Sequence, residues 1–193
     1  MDNIIKEIEI EKQNDIDNKD VDEIIKNNPE LIDEYPILEI EYNRNGTKKE
    51  FYDLAKEREI KETQLKSDIN ELDFNYSQNK IEKEEYKKKK EQLETRLLDQ
   101  NLVYDNLIFE IIKNQDLDDL KNKVKNAKLN DIDLNRLASS LSSIAENKIN
   151  EFQRNNKDFK ENNISYWNYK YDIIAKNYAK TREVESFILS LIG

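Results

Sequence analysis

Any chemistry in this chain must come from carboxylates, lysines, tyrosines and serines, because its 193 residues include neither His nor Cys. That removes the usual ligands of structural zinc and of most transition metals. Two acidic runs have the outline of a calcium loop. Asp15-x-Asp17 is followed by Lys19 where an oxygen ligand is needed and by Asp20 where the turn needs Gly. Asp131-x-Asp133-x-Asn135 comes closer, but Arg136 replaces the Gly and Ser142 replaces the bidentate Glu. Asp131 or Asp133 reads better as the N-cap of a helix. Ser139, Ser140, Ser142 and Ser143 lack a base to activate them, and no Gly-x-Ser-x-Gly elbow is present. Lys87 to Lys90 are interleaved with Glu82, Glu84, Glu85, Glu91 and Glu94, so they read as a salt-bridged solvated face rather than a phosphate track. No glycine-rich phosphate loop and no motif-level carboxylate dyad appears. The expectation is a protein that is not an enzyme and takes no metal and no cofactor.

The elements carrying these residues are helical by composition. Only two glycines and two prolines punctuate the chain, which excludes a turn-rich all-β fold. Charged residues make up 38% and hydrophobic ones 36%, with a mean hydropathy of -1.00. That is enough apolar material for seams and small cores, and it favours an elongated body. Ile outnumbers Val 24 to 4, a bias of an AT-rich genome. No apolar run is long enough for a membrane helix, and the start lacks a leader pattern, so a cytoplasmic location is expected, in a host cell or a virion if the chain is viral. The net charge of -10 is concentrated in residues 1–42, which hold 14 acidic and 4 basic residues.

Along the chain, residues 1–36 read as an acidic arm with short helices at Val21 to Asn27 and Pro29 to Glu34, closed by Pro36. Residues 37–53 read as a small β-hairpin. Leu38-Glu39-Ile40-Glu41-Tyr42 alternates, Asn45-Gly46 supplies the turn, and Lys48 to Tyr52 returns. Its free edge would suit strand addition by a partner. Residues 54–113 read as two long helices folded at Asn79-Lys80. Their seam is Leu65, Ile69, Leu72 and Tyr76 on one arm, and Tyr86, Leu93, Leu97, Tyr104, Leu107 and Ile111 on the other, with Lys90 and Gln100 filling the gaps. A spacing alternating three and four is that of a coiled coil. Residues 114–193 read as a C-terminal helical bundle. The fold class expected is therefore mostly α, a helical hairpin or coiled coil with a C-terminal bundle and one N-terminal β-hairpin.

The bend, Tyr76 to Tyr86, resembles the short helical hairpin of SHOCT-type segments of bacterial and phage proteins, over about twenty residues. Asn79 stands where that pattern usually has Gly, and Lys83 where it often has Thr. The resemblance implies an oligomerisation or docking piece.

The last helix begins with the densest aromatic cluster, Tyr166-Trp167-Asn168-Tyr169-Lys170-Tyr171, and ends Phe187-Ile188-Leu189-Ser190-Leu191. Ser165 is its expected cap. Apolar residues on more than one side mark a helix that is buried between elements or covered by a partner. Tyr166, Trp167, Tyr169, Phe187, Ile188 and Leu191 are the candidate partner-binding residues, since aromatic side chains carry interface hot spots. The expected function is a structural or assembly protein, by compositional analogy a bacteriophage virion or scaffolding component, whose partners are proteins and which forms a homo-oligomer or a subunit of a larger assembly. The alternative is an acidic nucleic-acid mimic inhibiting a basic-groove protein such as a nuclease. The lack of a basic excess argues against nucleic acid as a partner.

Overall fold

The computed structural model describes residues 18–157 and 162–193. The expectations for residues 1–17, including the Asp15-x-Asp17 loop, lie outside the described residues. Eight helices occur among the described residues: α1 Asn18–Asn27, α2 Leu31–Glu34, α3 Pro36–Glu41, α4 Phe51–Ser77, α5 Lys83–Asn114, α6 Leu117–Ala127, α7 Asp131–Asn155 and α8 Ile164–Ser190. The protein is mostly helical. It divides into two compact units, residues 1–50 and 51–193.

The first unit corrects the β-hairpin expected at 37–53. No strand is present among the described residues. Leu38 to Glu41 lie in α3, which Pro36 opens rather than closes. Pro suits a first helical turn because its missing N–H has no intrahelical partner there. The stretch reads two ways because Tyr35, Leu38 and Tyr42 are also spaced three and four, and that helical period wins. These three bury themselves with Ile25 and Ile32 in one small core. The Asn45-Gly46 turn does form. Asn43 Oδ1 accepts from the backbone N–H groups of Asn45 (2.8 Å) and Thr47 (3.0 Å). A single antiparallel bridge, Tyr42 to Lys48, is all that remains of the ladder. The Tyr42 hydroxyl donates to Asp22, and burial, that carboxylate and Glu41 push its pKa up.

In the second unit, α4 and α5 form an antiparallel hairpin. Its turn is a Schellman motif: the N–H of Lys80 donates to Asn75 C=O and the N–H of Asn79 to Tyr76 C=O, each at 3.0 Å. Asn79 takes φ +56°, the left-handed conformation for which Gly is the usual residue and Asn the next best. Beyond the hairpin, α6, α7 and α8 each start on a side-chain cap. Asp116 accepts from the N–H of Asp118 at 2.9 Å and of Asp119 at 3.4 Å. Asn130 accepts from Asp133 N–H at 2.8 Å and Asn163 from Tyr166 N–H at 3.1 Å. Asn130, not Asp131 or Asp133, therefore caps α7, and Asn163, not Ser165, caps α8. Asn completes either cap because its carbonyl reaches the second or third N–H of the helix.

Helix α8 packs along α7 and also touches α5 and α6, while α4 packs on α5 and α7. The core holds Phe51, Leu54, Tyr104, Ile108, Ile112, Leu120, Val124, Leu141, Ile144, Val184 and Ile188. Ala138, Ser140 and Ala145 are buried on α7, and such small side chains let neighbouring backbones approach closely.

Gly46 brings its backbone close against α1. It takes φ +71°, and a Cβ there would lie 2.7 Å from Lys26 Cα and 2.8 Å from Ile25 O. Both neighbours are backbone atoms of α1 and cannot swing aside. Gly46→Ala is expected to cost about 2 kcal/mol or more, combining φ strain with displacement of α1. Amide exchange across Ile24 to Asn27 should quicken by more than tenfold; an unchanged rate would show that this contact is not part of the native packing.

Candidate interaction site

Arg58 and Asp105 form a buried ion pair between α4 and α5, Nε to Oδ1 at 2.6 Å. Arg58 also reaches Glu62 at 2.9 Å, and Lys66 bonds the other Glu62 oxygen at 2.8 Å. Burial pushes the Asp105 carboxyl up, and the Arg58 charge and hydrogen bond offset this only in part. Burial pushes Glu62 the same way, but its bond from Lys66 and the charges of Arg58 and Lys66 outweigh it, so its pKa falls. Arg58 stands in the charged run Lys56-Glu57-Arg58-Glu59, whose composition is that of a solvated face. Its partner lies 47 residues away, and nothing local marks it.

Of the seam residues, Leu65, Leu72 and Tyr104 are buried, while Ile69, Tyr76, Tyr86, Leu93, Leu97, Leu107 and Ile111 are half-buried. Tyr76 and Tyr86 stack across the distal end with ring centroids 4.1 Å apart. Lys90 fills its gap by pairing with Asp73 at 2.9 Å and with the Tyr86 hydroxyl at 3.0 Å. Those bonds, from Lys90 first and Tyr86 second, hold the Asp73 carboxyl below its ordinary range. Nearer the core, Ile108, Phe109 and Ile112 are buried although they lie off the expected stripe. There α5 touches α7 and α8 as well as α4, so a broad face replaces the narrow seam.

On α8 the six candidate partner residues separate. Ile188 is fully buried and belongs to the core, whereas Phe187 and Leu191 are half-buried. Trp167 is half-buried and stacks on Tyr171 at 4.8 Å, and both rings approach Phe152 of α7. Tyr166 and Tyr169 are exposed, as are Ile164 and Ile173. The aromatic cluster thus faces two ways, with Trp167 and Tyr171 inward and Tyr166 and Tyr169 outward.

A cleft of about 360 Å³ opens between α5 and α8, with Leu107, Phe109, Ile173 and Asn177 in its lining. Asn177 is buried and donates through Nδ2 to Phe109 C=O at 3.0 Å. Lys180 caps the end of α5 by donating to Lys113 C=O at 3.2 Å and to Gln115 C=O, a cation at the negative end of a helix. Among the described residues, no group of three or more carboxylates is placed to hold a metal ion, and no helix is long and apolar enough to cross a membrane. Compared with known protein families, curated proteins and solved structures, the chain matches none.

Truncating Arg58 should leave a buried carboxylate unpaired. Arg58→Ala is expected to cost about 3–5 kcal/mol, and Arg58→Met with Asp105→Leu should recover most of it, read from urea unfolding. If the double variant is as unstable as the single, the pair does more than neutralise a buried charge. The pH dependence follows from the Asp105 shift. The folded state holds that proton more tightly than the unfolded chain, so this contribution is full below about pH 4 and is lost as pH rises through the folded pKa. Asp105→Asn should therefore gain stability relative to the parent as pH is raised from about 4 to 7. A difference that stays constant across that range would contradict the shift.

Proposed function

We propose that this chain is a non-enzymatic assembly protein that docks other protein subunits through the exposed start of α8, with the α4–α5 hairpin as a spacer. The observation that carries this reading is the outward pair Tyr166 and Tyr169 beside Ile164 and Ile173. Large amphipathic side chains grouped on an otherwise charged surface mark contact sites, since Tyr supplies area at low entropic cost. The distal hairpin supports the spacer role. Its Tyr76–Tyr86 stack and Asp73–Lys90–Tyr86 network brace its far end without a third helix. The setting we propose is the one composition suggests, a virion or scaffolding component.

Removing the last helix would not test this, because Thr181, Val184 and Ile188 of α8 are core residues. Substitution of the exposed pair does. Tyr166→Ser with Tyr169→Ser should change folding stability by no more than about 1 kcal/mol, as surface changes do. It should also reduce recovery of partner subunits by at least tenfold when the tagged chain is isolated from its native particle or cell. Equal recovery with and without the tyrosines would refute docking through this face.

A further inference from the structure

Helices α5 and α8 run parallel, because Asn177 bonds Phe109 and Lys180 bonds Lys113, at residue offsets of 68 and 67. The same offset carried toward their N-terminal ends sets Tyr169 level with Leu102 and Tyr166 level with Leu98. On α5, Leu98, Leu102 and Phe109 are spaced four and seven and share one face. On α8, Tyr166, Ile173 and Asn177 are spaced seven and four and share the facing one. The two stripes meet where Phe109 and Asn177 are each 5% exposed. Two to three turns back they are open: Leu98 is 71% exposed, Leu102 45%, Tyr166 40%, Tyr169 63% and Ile173 40%. Each helix therefore carries an open apolar stripe that continues past the level where the two helices meet, and the 360 Å³ cleft lies at that meeting point.

We infer that these two open stripes are covered by the same stripes of a second copy of the chain, an inference that rests on the assembly reading and names its first partner. Area favours it. At about 150–250 Å² for a whole large side chain, the five exposed ones offer on the order of 450 Å² of apolar surface. One partner's share of a standard interface is about 800 Å², of which about 57–65% is apolar, so the patch matches the apolar part of one half. Charge permits it: residues 51–193, which bear the patch, carry 25 basic and 27 acidic side chains and are close to neutral, the chain's acidity lying in residues 1–42. A two-fold contact brings the leucine stripe of one copy against the tyrosine stripe of the other and uses each of these five residues twice.

The test is the mass of the purified full chain by sedimentation equilibrium and light scattering, from about 1 to 100 μM. A dimer is expected, insensitive to salt because its contact is apolar. Leu98→Glu with Tyr169→Glu should weaken it at least 100-fold, whereas Phe74→Glu, at an exposed site on α4, should leave it unchanged. If the paired glutamates perturb folding by circular dichroism, Leu98→Ser with Tyr169→Ser serves instead. Trp167 is the only tryptophan and neighbours the patch, so its emission should shift with concentration in the parent and not in the variant. A monomer throughout the range overturns the second-copy assignment, and so does a dimer indifferent to these substitutions. Neither result touches the docking reading, which the recovery of partners from the native source decides separately.

Discussion

The Arg58–Asp105 pair sets where α4 meets α5, and the rest of the second unit is built outward from that point. A buried ion pair adds little net stability, because desolvation consumes most of the Coulombic gain. Its value lies in what it forbids. A slide of α4 by one turn would bring Leu54 or Glu62 opposite Asp105, leaving a buried carboxylate without a cation or against a like charge. A seam of Leu, Ile and Tyr tolerates several registers, since apolar contacts are non-directional. One hydrogen-bonded guanidinium selects among them. From this locked point the hairpin runs to the Tyr76–Tyr86 stack in one direction and into the contacts with α7 and α8 in the other.

The second constraint is how little apolar material the chain has. With 36% hydrophobic residues, five long or medium helices cannot all be wrapped on every side. Polar groups therefore take structural work that apolar ones do elsewhere. Asn177 ties α8 to the α5 backbone, Thr181 Oγ1 returns to Asn177 C=O at 2.9 Å, and Lys180 closes the end of α5. Each satisfies a group that burial would otherwise penalise.

What the sequence made legible follows from which signals are local. The break at Asn79-Lys80, the break at Asn114 to Asp116 and the extents of the long helices rest on periodicity and capping within a few residues. The α3 segment reads as a strand from sequence because five residues of alternation, Leu38 to Tyr42, do not distinguish a period of two from one of 3.6. Tyr35, three residues before Leu38, and Pro36 at the first helical position decide it. Ile108, Phe109 and Ile112 escaped the seam because a 3.5 repeat presumes one neighbouring helix, and here there are three. Arg58 escaped because a buried pair is a property of two distant positions. On α8, composition identifies the aromatic cluster but does not divide Trp167 and Tyr171, which pack on Phe152, from the exposed Tyr166 and Tyr169.

Leu98 and Leu102 sharpen the point about scarcity. Elsewhere on α5 most outward positions go to Lys, Glu, Gln and Arg, strong helix formers that suit a solvated face. Two exposed leucines one turn apart gain nothing in helix propensity over those residues, and their apolar surface faces water. In a chain short of apolar residues, placing two there and two tyrosines at the matching level of α8 withholds four large side chains from a core that has room for them at few places. Packing within one chain accounts for Phe109 and Asn177, where the same two stripes close. It does not account for the stripes continuing past the point of contact, with their spacing kept, into solvent. A stripe that keeps its period beyond its own partner is what the proposed second copy would cover along the same helical face.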